Sequence, residues 1–207
     1  MLLVAGPNGS GKTTLWHRFL RPNLPEGFLS EYINVDDIER ELNPKGPRAV
    51  QTDTTARYAQ LEAERQRAAR LGTPSANQSH FIYEAVFSDA NGRRLAELQR
   101  GRDAGYRVVM VFVGLDSVEL AQDRVRNRVR NNGHDVPVAT QIDRFPRVFE
   151  NARKALAIVS LALFLDNSRD DNEGRGSHRP VAVYCEGTWI GVHDVLPSWW
   201  SRIVAPQ

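Results

Sequence analysis

The sequence predicts an α/β protein of the P-loop NTPase class, three layers thick with a parallel central sheet. Three observations carry this. A short apolar run ends in the glycine-rich segment Gly6-Pro7-Asn8-Gly9-Ser10-Gly11-Lys12-Thr13, and a helical pattern follows it directly. Strand-like and helix-like segments then alternate to about residue 168. Residues 106–114 form an unbroken Val-rich run, as in strands buried on both faces.

Residues 2–5 read as the first strand, and Thr-Thr-Leu-Trp-His-Arg-Phe-Leu from Thr13 has one apolar face at helical spacing. Residues 31–35 read as a second strand ending at Asp36 and Asp37, with a helix over 38–42 that Pro44 stops. The Ala-, Glu-, Gln- and Arg-rich run 48–71 predicts a long helix closed by Gly72 and Pro74. Residues 81–87 read as the third strand, 90–104 as a helix and 106–114 as the fourth strand; Asp116 or Ser117 caps a helix reaching about Asn131. A turn over 133–137 leads to a helix over 138–159 and a strand over 161–165. Trp189, Trp199 and Trp200 predict packing of the C-terminus on the core. The expected organisation is one P-loop kinase domain over 1–207, with a core (1–168), a polar loop (169–180) and a last strand, 181–186, with its tail, within 181–207.

Composition excludes several classes. Hydrophobic residues make up 41% and charged residues 25% of the 207, which fits a soluble globular protein rather than a disordered chain. The longest apolar stretches, such as 155–165, are too short to cross a bilayer. The 27 basic residues nearly balance the 25 acidic ones, so no strong field favours nucleic acid or a membrane surface. Lys12, Lys45 and Lys154 are the only lysines, which makes Lys12 an unusual choice in an arginine-rich chain. Cys185 is the sole cysteine, so no internal disulfide or thiolate metal cage forms within one chain. Residues 1–5 lead straight into the glycine loop without a secretory pattern, and the cytoplasm is the expected location.

The glycine loop predicts a phosphate site. Its backbone N–H groups curl toward an anion, Lys12 reaches the β- and γ-phosphates, and the Thr13 hydroxyl helps to hold Mg²⁺. The expected ligands are therefore ATP and Mg²⁺. Asp36, at the end of a strand, is placed to take the proton of a substrate hydroxyl, while Asp37 reads as a helix cap. Glu84, alone among apolar residues, needs a substrate hydroxyl, Mg²⁺-bound water or an arginine; a ligand contact and a structural ion pair both fit. On the helix after Ser117, Arg124 and Arg128 share one face, with Leu120, Val125 and Val129 as its anchors; Arg126 and Arg130 read as solvated. Gly133-His134-Asp135-Val136-Pro137, followed by Arg144, reads as a lid, with His134 either part of the closure or holding the turn by a backbone bond.

Taken together, the Gly-Pro-Asn-Gly-Ser-Gly-Lys-Thr-Thr loop, Asn34-Val35-Asp36, Glu84 with Ser88, Arg124-Val-Arg-Asn-Arg128, Gly133-His-Asp-Val-Pro137 and Arg144 resemble the zeta toxin family over most of residues 1–168. The resemblance implies a nucleoside-monophosphate-kinase-like P-loop fold with an arginine-bearing helical lid. It implies an ATP-dependent kinase acting on the 3′-hydroxyl of UDP-N-acetylglucosamine, and an antitoxin protein as partner. It further implies Asp36 as catalytic base, Lys12 as phosphate-binding lysine, and Arg128 and Arg144 as phosphate clamps. Gly6 to Thr14 with Asn167, near the adenine pocket, would bind ATP; Asn34, Glu84, Ser88 and Arg124 would bind the acceptor; and Thr13 would bind the metal. The chain departs from the founding toxins in having no N-terminal extension, in being shorter, and in carrying Val86 where they have threonine. These departures touch the acceptor region.

Two other classes compete. A nucleotide-gated binding protein would use the apolar run 108–115 and Asp116 as a hydrolytic Mg²⁺ motif. A nucleic-acid 5′-kinase would use the 124–130 arginine stripe, but that stripe lacks interleaved aromatics. A kinase for another small metabolite is the nearest variant of the main reading.

Overall fold

The strand that leads into the glycine loop lies inside the sheet, where both flanks are covered. The computed structural model describes residues 1–25, 32–42, 53–72, 80–131, 135–169 and 177–204. Strand β1 (Leu2–Ala5) pairs in parallel with β3 (Ile82–Ala85) on one side and β4 (Val109–Gly114) on the other. β2 (Tyr32–Ile33) extends the parallel sheet beyond β3, and β5 (Leu161–Asp166) extends it beyond β4. β6 (Arg179–Cys185) and β7 (Thr188–Val192) add antiparallel, giving seven strands in the order β2-β3-β1-β4-β5-β6-β7.

Parallel neighbours need crossovers, and helices supply them. They are α1 (Lys12–Leu15) and α2 (Arg21–Asn23) around a π-helical turn at Trp16–Leu20, then α3 (Val35–Leu42), α4 (Asp53–Leu71), α5 (Arg93–Asp103), α6 (Val118–Arg130) and α7 (Val138–Ala155). Alternation along β1 sends Leu3 and Ala5 into one core with Phe81, Phe112 and Phe149, and Val4 into another with Leu15, Trp16 and Leu165. The sheet is thus covered on both faces, as the three-layer expectation requires.

Several boundaries differ from the sequence reading, each for a local reason. The second strand stops at Ile33 because Asn34 Oδ1 accepts the Asp36 N–H at 2.8 Å and starts a helix there. Asn34, not Asp37, is the cap, and Asp36 sits in a helical first turn rather than at a strand end. The expected helix from Thr13 passes through the π turn, in which Trp16 stacks on Tyr32 at 4.3 Å. Ser117 caps α6 by accepting from the Leu120 N–H, as read. Val125 anchors that helix, but Val129 does not, being 36% exposed. A strand missed in the sequence, β7, follows the two-residue turn Glu186-Gly187, whose φ values of 44° and 90° suit a tight hairpin. Expectations that rest on Glu31, Pro44, residues 48–52, Pro74, Gly133, His134 and residues 170–176 lie outside the described residues.

Trp199 and Trp200 are buried, within a 3-10 turn (Ser198–Trp200) before α8 (Ser201–Val204). The expectation that the C-terminal tryptophans pack on the core holds for both. Trp199 lies 5.8 Å from the Phe112 ring and 6.0 Å from Phe149.

Candidate active site

The loop between β1 and α1 is shaped by its first glycine. Gly6 has φ 150°, and a Cβ there would meet the Val113 carbonyl oxygen at 2.3 Å, so only glycine fits between the two central strands. Ser10 N–H closes the turn on the Pro7 carbonyl at 3.2 Å. Lys12 folds back over the loop, its Nζ donating to the Gly6 and Pro7 carbonyls at 3.1 and 2.9 Å. Burial lowers the Lys12 pKa, opposed by the charges of Glu84 and Asp36 and assisted by Arg128. These four charged groups therefore converge on one place. Ser10 is fully buried, Pro7 is buried, and Thr14 is exposed on α1.

Glu84, at the C-terminal end of β3, meets hydroxyls rather than an arginine. It accepts from Thr13 Oγ1 at 3.1 and 3.0 Å, from the Tyr32 hydroxyl at 2.6 Å and from Asn34 Nδ2 at 3.3 Å. Burial first, and then the Glu84 charge, hold the Tyr32 hydroxyl protonated well above its ordinary pKa. Asn34 thus both caps α3 and supports Glu84. Asp36, 46% exposed at its side chain, faces Arg128 across 4.0 Å.

These residues open onto a cleft of about 1070 Å³, lined by Asn8, Gly9, Lys12, Asn34, Asp36, Glu84, Ser88, Arg128 and Arg144 among others. Arg144 is half-buried there, and burial followed by neighbouring Arg147 lowers its pKa. The far wall comes from α4 and α5, with Glu64, Arg94 and Glu97 joined by ion pairs of 3.6 and 2.8 Å. Of the expected site residues, Gly6, Pro7, Ser10, Gly11, Thr13 and Thr14 of the loop and α1 do not line this cleft, and neither do Arg124 and Asn167. Arg124 Nη1 instead donates to the Asn167 carbonyl at 2.6 Å, and the Asn167 side-chain amide donates to the Ser10 carbonyl at 2.9 Å beneath the loop. Arg126 pairs with Asp123, and Arg130 bonds Asn127 at 3.3 Å, so both stay on the outer face as read.

Sequence reasoning missed Tyr32, Arg147 and Asn151. Arg147 Nε donates to the Ser88 carbonyl at 2.9 Å, and Asn151 Nδ2 donates to the carbonyls of Phe87 and Asp89, both at 3.0 Å. Together they pin the segment after β3, where Phe87 is held at φ 64°, a conformation bulky side chains avoid. No local sequence pattern announces this, because the anchors come from α7. Asp116, offered above as a hydrolytic motif, accepts from the Ser198 N–H and hydroxyl at 2.9 and 2.6 Å, and so belongs to the C-terminal packing.

Residues 1–152 match the family model described as an AAA domain. The chain belongs to the AAA-domain family. An uncharacterized protein of Haemophilus influenzae is 23% identical to it over 133 residues, covering 64% of this chain and 83% of that protein. Among solved structures, the AvrRxo1-ORF1:-ORF2 complex with ATP matches at TM-score 0.72 and 15% identity, over 100% of this chain and 64% of that one. The PezAT chromosomal toxin-antitoxin system of Streptococcus pneumoniae matches at TM-score 0.57 and 18% identity, over 80% of this chain and 66% of that one. This AAA-domain chain therefore spans just under two thirds of either structural relative, and at such identities the likeness establishes the P-loop fold.

The donor set of this AAA-domain chain suits Mg²⁺. Among the described residues no cluster of three or more His, Cys, Asp or Glu forms a protein-only metal cage. Mg²⁺ at a phosphate site needs just one or two protein oxygens beside phosphates and waters, and the Thr13 hydroxyl against the Glu84 carboxylate offers such hard donors. Among the described residues no helix is long and apolar enough to cross a membrane.

Proposed function

We propose that this chain is an ATP-dependent phosphotransferase of the zeta toxin type, acting on a hydroxyl of a small molecule. A nucleotide sugar is the preferred acceptor, with the 3′-hydroxyl of UDP-N-acetylglucosamine the first candidate. The observation that carries the reading is the convergence of Lys12, Glu84, Arg128 and Asp36 on one cleft whose volume, about 1070 Å³, exceeds what nucleotide phosphates alone would fill.

The loop backbone and Lys12 hold the β- and γ-phosphates. Asp36 takes the proton of the acceptor hydroxyl as its oxygen bonds to the γ-phosphorus, the bond to the β–γ bridging oxygen breaks, and ADP leaves. Arg128 and Arg144 offset the charge on the transferred group. Thr13 and Glu84 would hold Mg²⁺, which supplies charge neutralisation on the phosphates when bound. Asn34 and Ser88 shape the acceptor side of the cleft. The Glu64-Arg94-Glu97 wall lies on that side and gives the acceptor both donors and acceptors to meet. Support for ATP comes from the AvrRxo1 complex solved with it, and support for an antitoxin protein as partner comes from the PezAT toxin-antitoxin system.

The test is incubation of the chain with ATP, Mg²⁺ and a panel of nucleotide sugars and other metabolites, read by mass spectrometry. The expected result is one added phosphate on a nucleotide sugar, lost when Mg²⁺ is withheld. Phosphate added to some other metabolite would move the acceptor assignment, and ATP consumption that no acceptor accelerates would overturn the transferase.

A further inference from the structure

We propose that His178 is a positioning residue of the phosphate loop. With the Asn167 side-chain amide, it ties back the carbonyls of Gly11 and Ser10 so that the N–H groups of Lys12 and Gly11 face the bound anion. The inference rests on the reading of the loop as a nucleoside-triphosphate cradle.

The contacts are specific. His178 is 7% exposed, and its Nε2 lies 3.0 Å from the Gly11 carbonyl oxygen. A carbonyl oxygen only accepts, so the ring proton facing it is on Nε2. Asn167 Nδ2 donates to the Ser10 carbonyl at 2.9 Å, and the Asn167 side-chain oxygen accepts from the His178 N–H at 3.4 Å, which couples the two. The Gly11 carbonyl also accepts the helical bond from Leu15 N–H at 2.8 Å, so it is fixed from two directions.

The consequence follows from peptide geometry. In a planar trans peptide the C=O and the next N–H point in opposite directions, and no cis peptide occurs among the described residues. Pulling the Ser10 and Gly11 oxygens toward β5 and β6 therefore turns the N–H groups of Gly11 and Lys12 away from them, toward the side on which Lys12 lines the cleft. The fit is close enough to demand glycine: Gly11 has φ 86°, and a Cβ there would lie 2.6 Å from Asn167 Nδ2 and 3.1 Å from His178 Nε2. His178 itself is held at φ 42°, a left-handed conformation in which histidine, asparagine and aspartate are enriched. Both clamping residues lie beyond the stretch 1–152 that matches the AAA-domain model, so part of the cradle is built by the C-terminal strands.

The test compares the unaltered chain with His178→Ala, His178→Gln and His178→Asn, titrated with ATP and with inorganic triphosphate in Mg²⁺. A glutamine amide reaches about as far as Nε2, whereas asparagine keeps the left-handed preference but falls short of Gly11. The alanine and asparagine variants are expected to weaken both ligands about three- to tenfold, with His178→Gln recovering most of the loss. Thermal unfolding identifies any variant that fails to fold, and the Gln–Asn pair then carries the comparison. Unchanged affinity in the alanine and asparagine variants overturns the clamp. So does loss of ATP binding with inorganic triphosphate unaffected, which would put His178 at the base. Failure of the unaltered chain to bind either ligand would instead overturn the nucleotide reading, and the clamp with it.

Discussion

Asp36 stands where a helix begins, and that position decides what it can do. Its backbone N–H is taken by the Asn34 side chain, while its carboxylate reaches 4.0 Å toward Arg128 without close pairing. A carboxylate so loosely held can meet an incoming hydroxyl. Asp36→Asn is expected to keep ATP affinity and lower kcat by roughly 10²- to 10⁴-fold, the usual span for a lost general base. Isothermal titration with ATP beside a turnover assay on the identified acceptor checks both halves, and unchanged turnover removes Asp36 from the mechanism.

At the scale of elements, the segment after β3 is shaped by α7. Asn151 gives both amide hydrogens to the carbonyls of Phe87 and Asp89, and Arg147 holds the Ser88 carbonyl, so a strained turn is kept against the cleft wall. Removing the amide leaves these carbonyls without that donor. Asn151→Leu is expected to destabilise the fold by about 1–3 kcal/mol and to raise KM for the acceptor more than KM for ATP. Denaturant unfolding with paired KM measurements checks this; equal effects on the two KM values would mean that the turn does not shape the acceptor side.

Across the whole molecule, the C-terminal tail is fastened to the strand ends that support the loop. Trp199 Nε1 donates to Asp166 at 2.9 Å, Ser198 bonds Asp116, and Asp166 precedes Asn167, which bonds the loop. Trp199→Ala removes a fully buried ring, an expected loss of about 3–5 kcal/mol. At roughly 2–4 °C per kcal/mol for a chain of this size, Tm should fall by about 6–20 °C. Calorimetry checks it, and a drop of a degree or two would mean that the tail is an appendage rather than a support.

What could be read along the chain was what a few neighbouring residues encode together. The strand, glycine loop and Lys-Thr pair need only local backbone freedom and adjacent side chains, so the P-loop fold was legible directly. The π turn and β7 were not, because their signals are short and compete with ordinary helix and turn patterns. Glu84 was legible as an acid amid apolar residues that needs partners; that its partners would include the hydroxyls of Thr13 and Tyr32 was not. The sequence by itself determined a phosphate loop between a buried strand and a helix, the near-neutral charge and the alternating α/β order. Tertiary structure alone decided that Arg124 turns to Asn167 rather than to the cleft, that Asp116 serves the tail, and that His178 reaches Gly11. The physical reason is separation: those contacts join residues 43, 82 and 167 positions apart, and nothing short of the folded sheet fixes which side chains meet over such distances.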